Sequence, residues 1–137
     1  MNTHFSIALH ALTLLADRSD GLTSEILATE LETNPVFLRR VLKTLKSAEI
    51  ITMRRGARGG IALSRSADSL RLDEIYQVMC ADRTLFPMHA QAQPGTVPSL
   101  IHELFEGAEM RTVRHFGRFT LRDLLEESLA TLEEAEA

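Results

Sequence analysis

Cysteine is almost missing from this chain. Cys80 stands alone among 137 residues, which rules out an internal disulfide framework and fits a reducing cytoplasm. Trp is absent and the aromatic set is six Phe and one Tyr, so a core must be built from aliphatic side chains. No apolar run approaches the ~18–20 residues needed to span a bilayer. The opening "MNTHFSIALHALTLLADRSD" has neither the basic start nor the small-residue cleavage site of a secretory leader. No Ser/His/Asp order, phosphate-binding loop or pair of catalytic carboxylates stands out, so no catalytic residue is nominated. No internal repeat is visible.

What is present is enough apolar material for a core. Hydrophobic residues make up 45% of the chain, too many for a disordered tail, and the length suits one domain with an added helical arm. The net charge of −4 argues at first against a nucleic-acid partner. Its distribution argues the other way. Residues 33–65 hold Arg39, Arg40, Lys43, Lys46, Arg54, Arg55, Arg58 and Arg65 against Glu49 alone, a local balance of +7. Residues 123–137 hold six carboxylates and no Lys or Arg. A local basic block is the footprint of a polyanion partner, and the total charge hides it.

The basic block has an ordered background. In "HFSIALHALTLLAD", apolar residues recur at spacings of three and four, which predicts a first helix over 4–17. "RSDG" breaks it, and Thr23 caps a short second helix, "SEILATELE", with Glu25 favourably placed in its first turn. "NPVFLRR" then opens a third. Asn34 is a good N-cap, and Pro35 suits the first helical position, where its missing N–H has no partner to lose. This helix is predicted to run to about Glu49, with Phe37, Leu38, Val41, Leu42, Leu45 and Ala48 on its apolar side. Arg39, Lys43 and Lys46 form a basic stripe, with Arg40 beside it. Two short helices, a tight turn and a second helix with an apolar back and a basic front make a helix-turn-helix pattern.

"IITMRRGARGGIALSR" follows directly. Ile50, Ile51 and Met53 predict a strand, the three glycines of "RRGARGG" a turn, and "IALS" the returning strand. A hairpin placed after such a helix is a wing, and its tip carries Arg54, Arg55 and Arg58. A fourth helix is predicted in "LRLDEIYQVMCAD", a Pro-containing loop over 82–98, a long helix from about Ser99, and a last helix after a Thr120/Asp123 capping box. The expected fold is mainly α with a small β-hairpin wing: a winged helix-turn-helix domain over 1–81, the loop 82–98, and helical dimerisation elements over 99–137. Those last helices carry more apolar surface than one arm can bury, so a two-fold partner is expected.

The order "NPVFLRRVLKTLKSAEI", "RRGARGGIAL", "LRLDEIYQVM" and "TLRDLL" resembles the Rrf family of bacterial winged-helix transcriptional regulators over nearly the whole chain, most strongly across 22–80. The resemblance implies a cytoplasmic repressor that binds double-stranded DNA as a homodimer crossed through the long helix. By position it assigns major-groove contact to Asn34, Pro35, Val36, Arg39 and Arg40, and minor-groove contact to Arg55. Cluster-binding members carry three cysteines after the fourth helix. Residues 81–137 contain none, so no iron–sulfur cofactor is expected and the effector is unknown.

Each signal has a plainer alternative. A charge run is usually a solvated helix face, but this one follows a helix-helix turn and precedes an arginine-rich hairpin, which favours DNA. Lys43, Lys46, Arg54 and Arg58 are read as phosphate contacts, which position without specifying. Cys80 is read first as a small buried apolar residue, with a thiol redox switch between subunits as the alternative. His102, Glu106 and Glu109 share a helix stripe that reads as an exposed polar face, and no metal site is assigned. Met79, Leu85, Phe86 and Met88 either plug the joint between arm and winged domain or line an effector pocket, with the plug preferred. From another class of function, the alternative is a protein-interaction module that no longer reads DNA.

Overall fold

The computed structural model describes residues 3–18, 21–56, 59–81, 85–88, 91 and 93–136, without the side chains of 128–132. Its elements are α1 (Thr3–Asp17), α2 (Ser24–Glu30), α3 (Pro35–Ser47), β1 (Ile51–Arg54), β2 (Gly60–Leu63), a single 3₁₀ turn (Ala67–Ser69), α4 (Leu72–Met79), α5 (Val97–Phe116) and α6 (Leu121–Glu136). The mainly helical fold with a two-stranded wing is as the periodicity predicts.

Local chemistry sets the boundaries. The Thr23 hydroxyl accepts the Ile26 N–H at 3.2 Å and so starts α2. α2 ends with Glu32 in the left-handed region at φ 51°, and the Thr33 N–H reaches back to the Ala28 carbonyl at 3.1 Å. α3 ends the same way: Glu49 has φ 59°, and the Ile50 N–H donates to the Leu45 carbonyl at 3.0 Å. These six-to-one bonds satisfy helix-end carbonyls and turn the chain sharply. α3 therefore stops at Ser47, slightly short of the predicted Glu49. The predicted Thr120/Asp123 capping box forms, with the Thr120 N–H on the Asp123 carboxylate at 2.8 Å and the Asp123 N–H on the Thr120 hydroxyl at 3.4 Å.

The core is aliphatic, as the lack of aromatics requires. Leu12, Leu27, Leu38, Leu42, Leu45 and Ile75 are fully buried. α1 packs against α3, α4, α6 and β2, so it is the post around which the winged half is built. α6 is tied back to the same core. Leu121 is fully buried in it, the Leu121 N–H donates to the Leu70 carbonyl at 2.8 Å, and the Leu72 N–H donates to the Phe119 carbonyl at 3.0 Å. α5 contrasts with all of these: none of its residues is buried.

Candidate nucleic-acid interface

The interface is built on α3. The Asn34 side-chain oxygen accepts the Val36 N–H at 2.8 Å and the Phe37 N–H at 3.4 Å, and Pro35 follows as the first helical residue. Leu38, Val41, Leu42 and Leu45 are the buried back of the helix. Arg39, Arg40, Lys43 and Lys46 are all exposed on its front. Asn34, Pro35 and Val36 are exposed at its N-terminal end, and Val36 leaves 55% of its surface in solvent. An apolar side chain so exposed beside arginines suits the methyl group of a thymine better than water.

β1 and β2 pair antiparallel in the register Ile51↔Leu63, Thr52↔Ala62, Met53↔Ile61 and Arg54↔Gly60. Ile51 and Ile61 are buried, while Thr52, Met53, Arg54 and Arg55 are exposed. Two glycines make the hairpin possible. A Cβ on Gly59 would lie 2.3 Å from the Arg54 carbonyl oxygen, inside the turn itself. Gly60 has φ 147°, and a Cβ there would lie 2.9 Å from the Gly21 carbonyl carbon. Gly21 and Gly60 thus let two backbones touch. The contact is continued by a bridge between Leu22 and Ile61, whose N–H donates to the Leu22 carbonyl at 2.8 Å. The wing is thereby fixed to the segment that starts α2. Sequence reasoning treated "RSDG" only as a helix breaker and missed this seat; the paired Gly-Gly of the wing was the available signal.

Electrostatics single out the same surface. The ion pairs of the described residues join Arg18 to Glu30, Arg65 to Glu74, Arg71 to Asp73, His102 to Glu106 and Arg122 to Asp68. Arg39, Arg40, Lys43, Lys46, Arg54 and Arg55 take part in none of them. Six cations thus share α3 and the wing without a neutralising carboxylate among the described residues, whereas Arg18, Arg65, Arg71 and Arg122 are each paired. Arg58 lies outside the described residues. Cys80 is buried at the end of α4, with 9% of its surface exposed. His102 pairs with Glu106 at 3.1 Å. Phe86 stacks on Phe105 at 5.1 Å between ring centroids, and Leu85 and Phe86 each leave 41% of their surface exposed.

Residues 1–127 match the Rrf2 family, described as iron-dependent transcriptional regulators. The chain belongs to the Rrf2 family of transcriptional regulators. It is 28% identical over 130 residues to YwnA of Bacillus subtilis (strain 168), assigned as an HTH-type transcriptional regulator, covering 91% of this chain and 96% of that protein. Among solved structures it resembles IscR of T. potens, with a TM-score of 0.73, 18% identity, and coverage of 93% of this chain and 87% of the other. It also resembles CymR, the global cysteine regulator of B. subtilis, with a TM-score of 0.68, 19% identity, and coverage of 93% and 96%. At these identities the two structures show the winged-helix fold.

The residues of this chain do not fit the iron centre that the family description implies. A cysteine-ligated cluster needs several thiolates, and Cys80 is the only cysteine. Among the described residues no group of three or more His, Cys, Asp or Glu could hold a metal ion.

Proposed function

We propose that this Rrf2 protein is a homodimeric repressor that binds a pseudo-palindromic operator and is released by a small effector. The observation that carries the reading is the set of six cations on α3 and the wing that lack ion-pair partners among the described residues. Arg39 and Arg40 would read guanine edges in the major groove, each good bidentate pair contributing roughly 1–3 kcal/mol of discrimination. Asn34, Pro35 and Val36 bring the N-terminal end of α3 to the bases. Lys43, Lys46, Arg54 and Arg58 contact phosphates, and Arg55 enters a narrow A·T-rich minor groove, where the potential is most negative. The division of labour is residues 1–81 for DNA, 82–98 as the connection and 99–137 for pairing.

The dimer is supported by α5. Val97, Leu100 and Leu104 are 68%, 60% and 71% exposed, more apolar surface than a helix keeps in water without a use. A two-fold contact along this helix covers it and places two α3 helices about one DNA turn apart.

The test is DNA affinity selection with the purified protein at low and near-physiological salt. An enriched palindrome is expected, with affinity falling steeply as salt rises because counterion release drives binding. Arg39→Glu with Arg40→Glu is expected to abolish the enrichment while the circular dichroism spectrum is unchanged. Weak, sequence-independent binding at both salts would favour a protein-interaction module instead. A Cys80→Ser protein is expected to bind and release DNA as the parent does; loss of an oxidant response in that variant would restore the thiol switch.

A further inference from the structure

A groove of about 740 Å³ lies between α4 and α5, apart from the DNA-facing surface. That volume falls within the range of small-molecule sites, roughly 300–1,000 Å³. The two helices run past each other in opposite directions. The Arg71 guanidinium, before the start of α4, lies against Gly117 at the end of α5, while Cys80 and Ala81 line the other end of the groove with Glu106. Met79, Leu85, Phe86 and Met88 are not among the lining residues; five of those that are carry a charge, Arg71, Asp73, Glu106, Glu109 and Arg114.

Most of the charges in these walls already have partners. Arg71 holds Asp73 through two hydrogen bonds of 3.1 and 2.8 Å, and Glu106 takes His102. Two opposite charges do not. Glu109 and Arg114 make no ion pair or hydrogen bond among the described residues, although both line the groove. They are five residues apart, about 7 Å along the helix axis. Tyr76 lines the same groove and is only 5% exposed, and its hydroxyl has no hydrogen-bond partner among the described residues. A buried orphan hydroxyl is costly, and natural proteins seldom keep one without a use. Met110 and Val113 supply an apolar floor.

We propose that this groove is an effector site for a small zwitterion of the amino-acid or dipeptide class, its carboxylate on Arg114, its ammonium on Glu109 and a polar atom on the Tyr76 hydroxyl. The Glu109 side of the groove faces away from the proposed dimer contact. At 100° per residue, Glu106, Glu109 and Val113 lie roughly 150–170° around the helix from the stripe of Val97, Leu100 and Leu104, Met110 roughly 110° and Arg114 roughly 75°. The site also has a route to the DNA surface. The Tyr76 ring meets Phe5 of α1 at 5.4 Å and Phe116 at 5.5 Å. α1 and α4 both pack behind α3. A ligand that engages Tyr76 therefore acts on the ring that braces α1 and shifts the population toward an arrangement of α3 that does not fit DNA. This consequence rests on the regulator reading; ligand binding does not.

Binding is tested first on the full-length protein without DNA. Thermal shift and calorimetry are run with the standard L-amino acids, glycylglycine and alanylalanine at millimolar concentration, with n-butylamine and n-butyrate as single-charge controls. At least one zwitterion is expected to raise the Tm by about 2 °C or more, because a ligand stabilises the fold it binds, and neither control should do so. Glu109→Gln and Arg114→Gln are each expected to weaken that ligand about tenfold or more, without lowering the Tm of the ligand-free protein. No response to any zwitterion, an equal response to a single-charge control, or unchanged affinity in both variants would overturn the site. The ligand found is then added to an operator-binding assay. Release of DNA supports the effector role and unchanged DNA affinity overturns it. A ligand-free protein that never binds DNA specifically would fail the regulator reading and leave the binding result intact.

Discussion

α3 and α5 are both amphipathic, and they have opposite fates. α3 has thirteen residues, four of them buried; its apolar back is fully used inside the chain and its front is left charged. α5 has twenty residues and buries none; Val97, Leu100 and Leu104 face outward, while Glu109, Met110, Val113 and Arg114 line a groove against α4. A helix whose hydrophobic stripe is satisfied internally can devote its other face to a polyanion. A helix whose stripe is unsatisfied depends on another molecule, so its contribution is realised only in the assembly.

The largest effect should come from α5. Leu104→Glu places a carboxylate in the proposed two-fold contact. Sedimentation should show monomers, the far-ultraviolet spectrum should be retained, and operator affinity should fall by roughly 10²–10⁴, the avidity lost when two linked sites become independent. A Leu104→Glu protein that stays dimeric would remove α5 from the interface. The next effect should come from the back of α3. Leu42 is fully buried, so Leu42→Ala is expected to cost about 2–5 kcal/mol in urea unfolding, through lost burial and the cavity left behind. The same truncation at Leu104 should cost the isolated monomer far less, since its side chain is already in water.

Asn34 sharpens the contrast within α3 itself, because it serves fold and function together. Asn34→Ala removes an acceptor from the Val36 and Phe37 N–H groups and should lower stability by about 1 kcal/mol. Asn34→Asp keeps the cap and favours the helix dipole, yet puts a negative charge where phosphates approach. It should retain stability and lose DNA affinity. Equal DNA affinity in the parent and Asn34→Asp proteins would mean that this end of α3 does not approach the DNA.

The features legible in the sequence were those made by neighbours in the chain. The Asn34-Pro35 start, the Thr23 and Thr120 caps and the glycine-rich hairpin turn each depend on residues a few positions apart, and each forms. The periodicity of the last helices also announced apolar stripes, but a stripe does not say what it packs on. Leu121 turned out to join the core beside Leu70, whereas Leu100 and Leu104 did not. The α4–α5 groove was not legible for the same reason. Glu109 read as part of an exposed stripe, and Tyr76 was one unremarked residue in a fourth helix. Only the packing of α4 against α5 brings together these two residues, which lie more than thirty positions apart in the chain.

Tyr76 gives the smallest expected effect and the cleanest readout. In the unfolded chain its phenol ionises near pH 10. In the fold its pKa is raised, chiefly by burial, and further by the negative neighbours Cys80 and Glu109. As pH climbs, the unfolded chain therefore releases this proton first. The stability Tyr76 contributes is intact below about pH 10 and is lost as pH rises through the raised folded value. Tyr76→Phe cannot ionise and also removes the orphan hydroxyl. It should match or slightly exceed the parent at pH 8 and hold a growing advantage above pH 10 in urea unfolding. Alkaline effects remote from Tyr76 are common to both proteins and cancel in the difference. The chain has one tyrosine and no tryptophan, so tyrosinate absorbance reports this side chain alone. A parent protein that titrates near pH 10 while folded, with the same alkaline slope as Tyr76→Phe, would mean that the hydroxyl is solvated. The groove would then lose the buried polar group that distinguishes it from an ordinary cleft between helices.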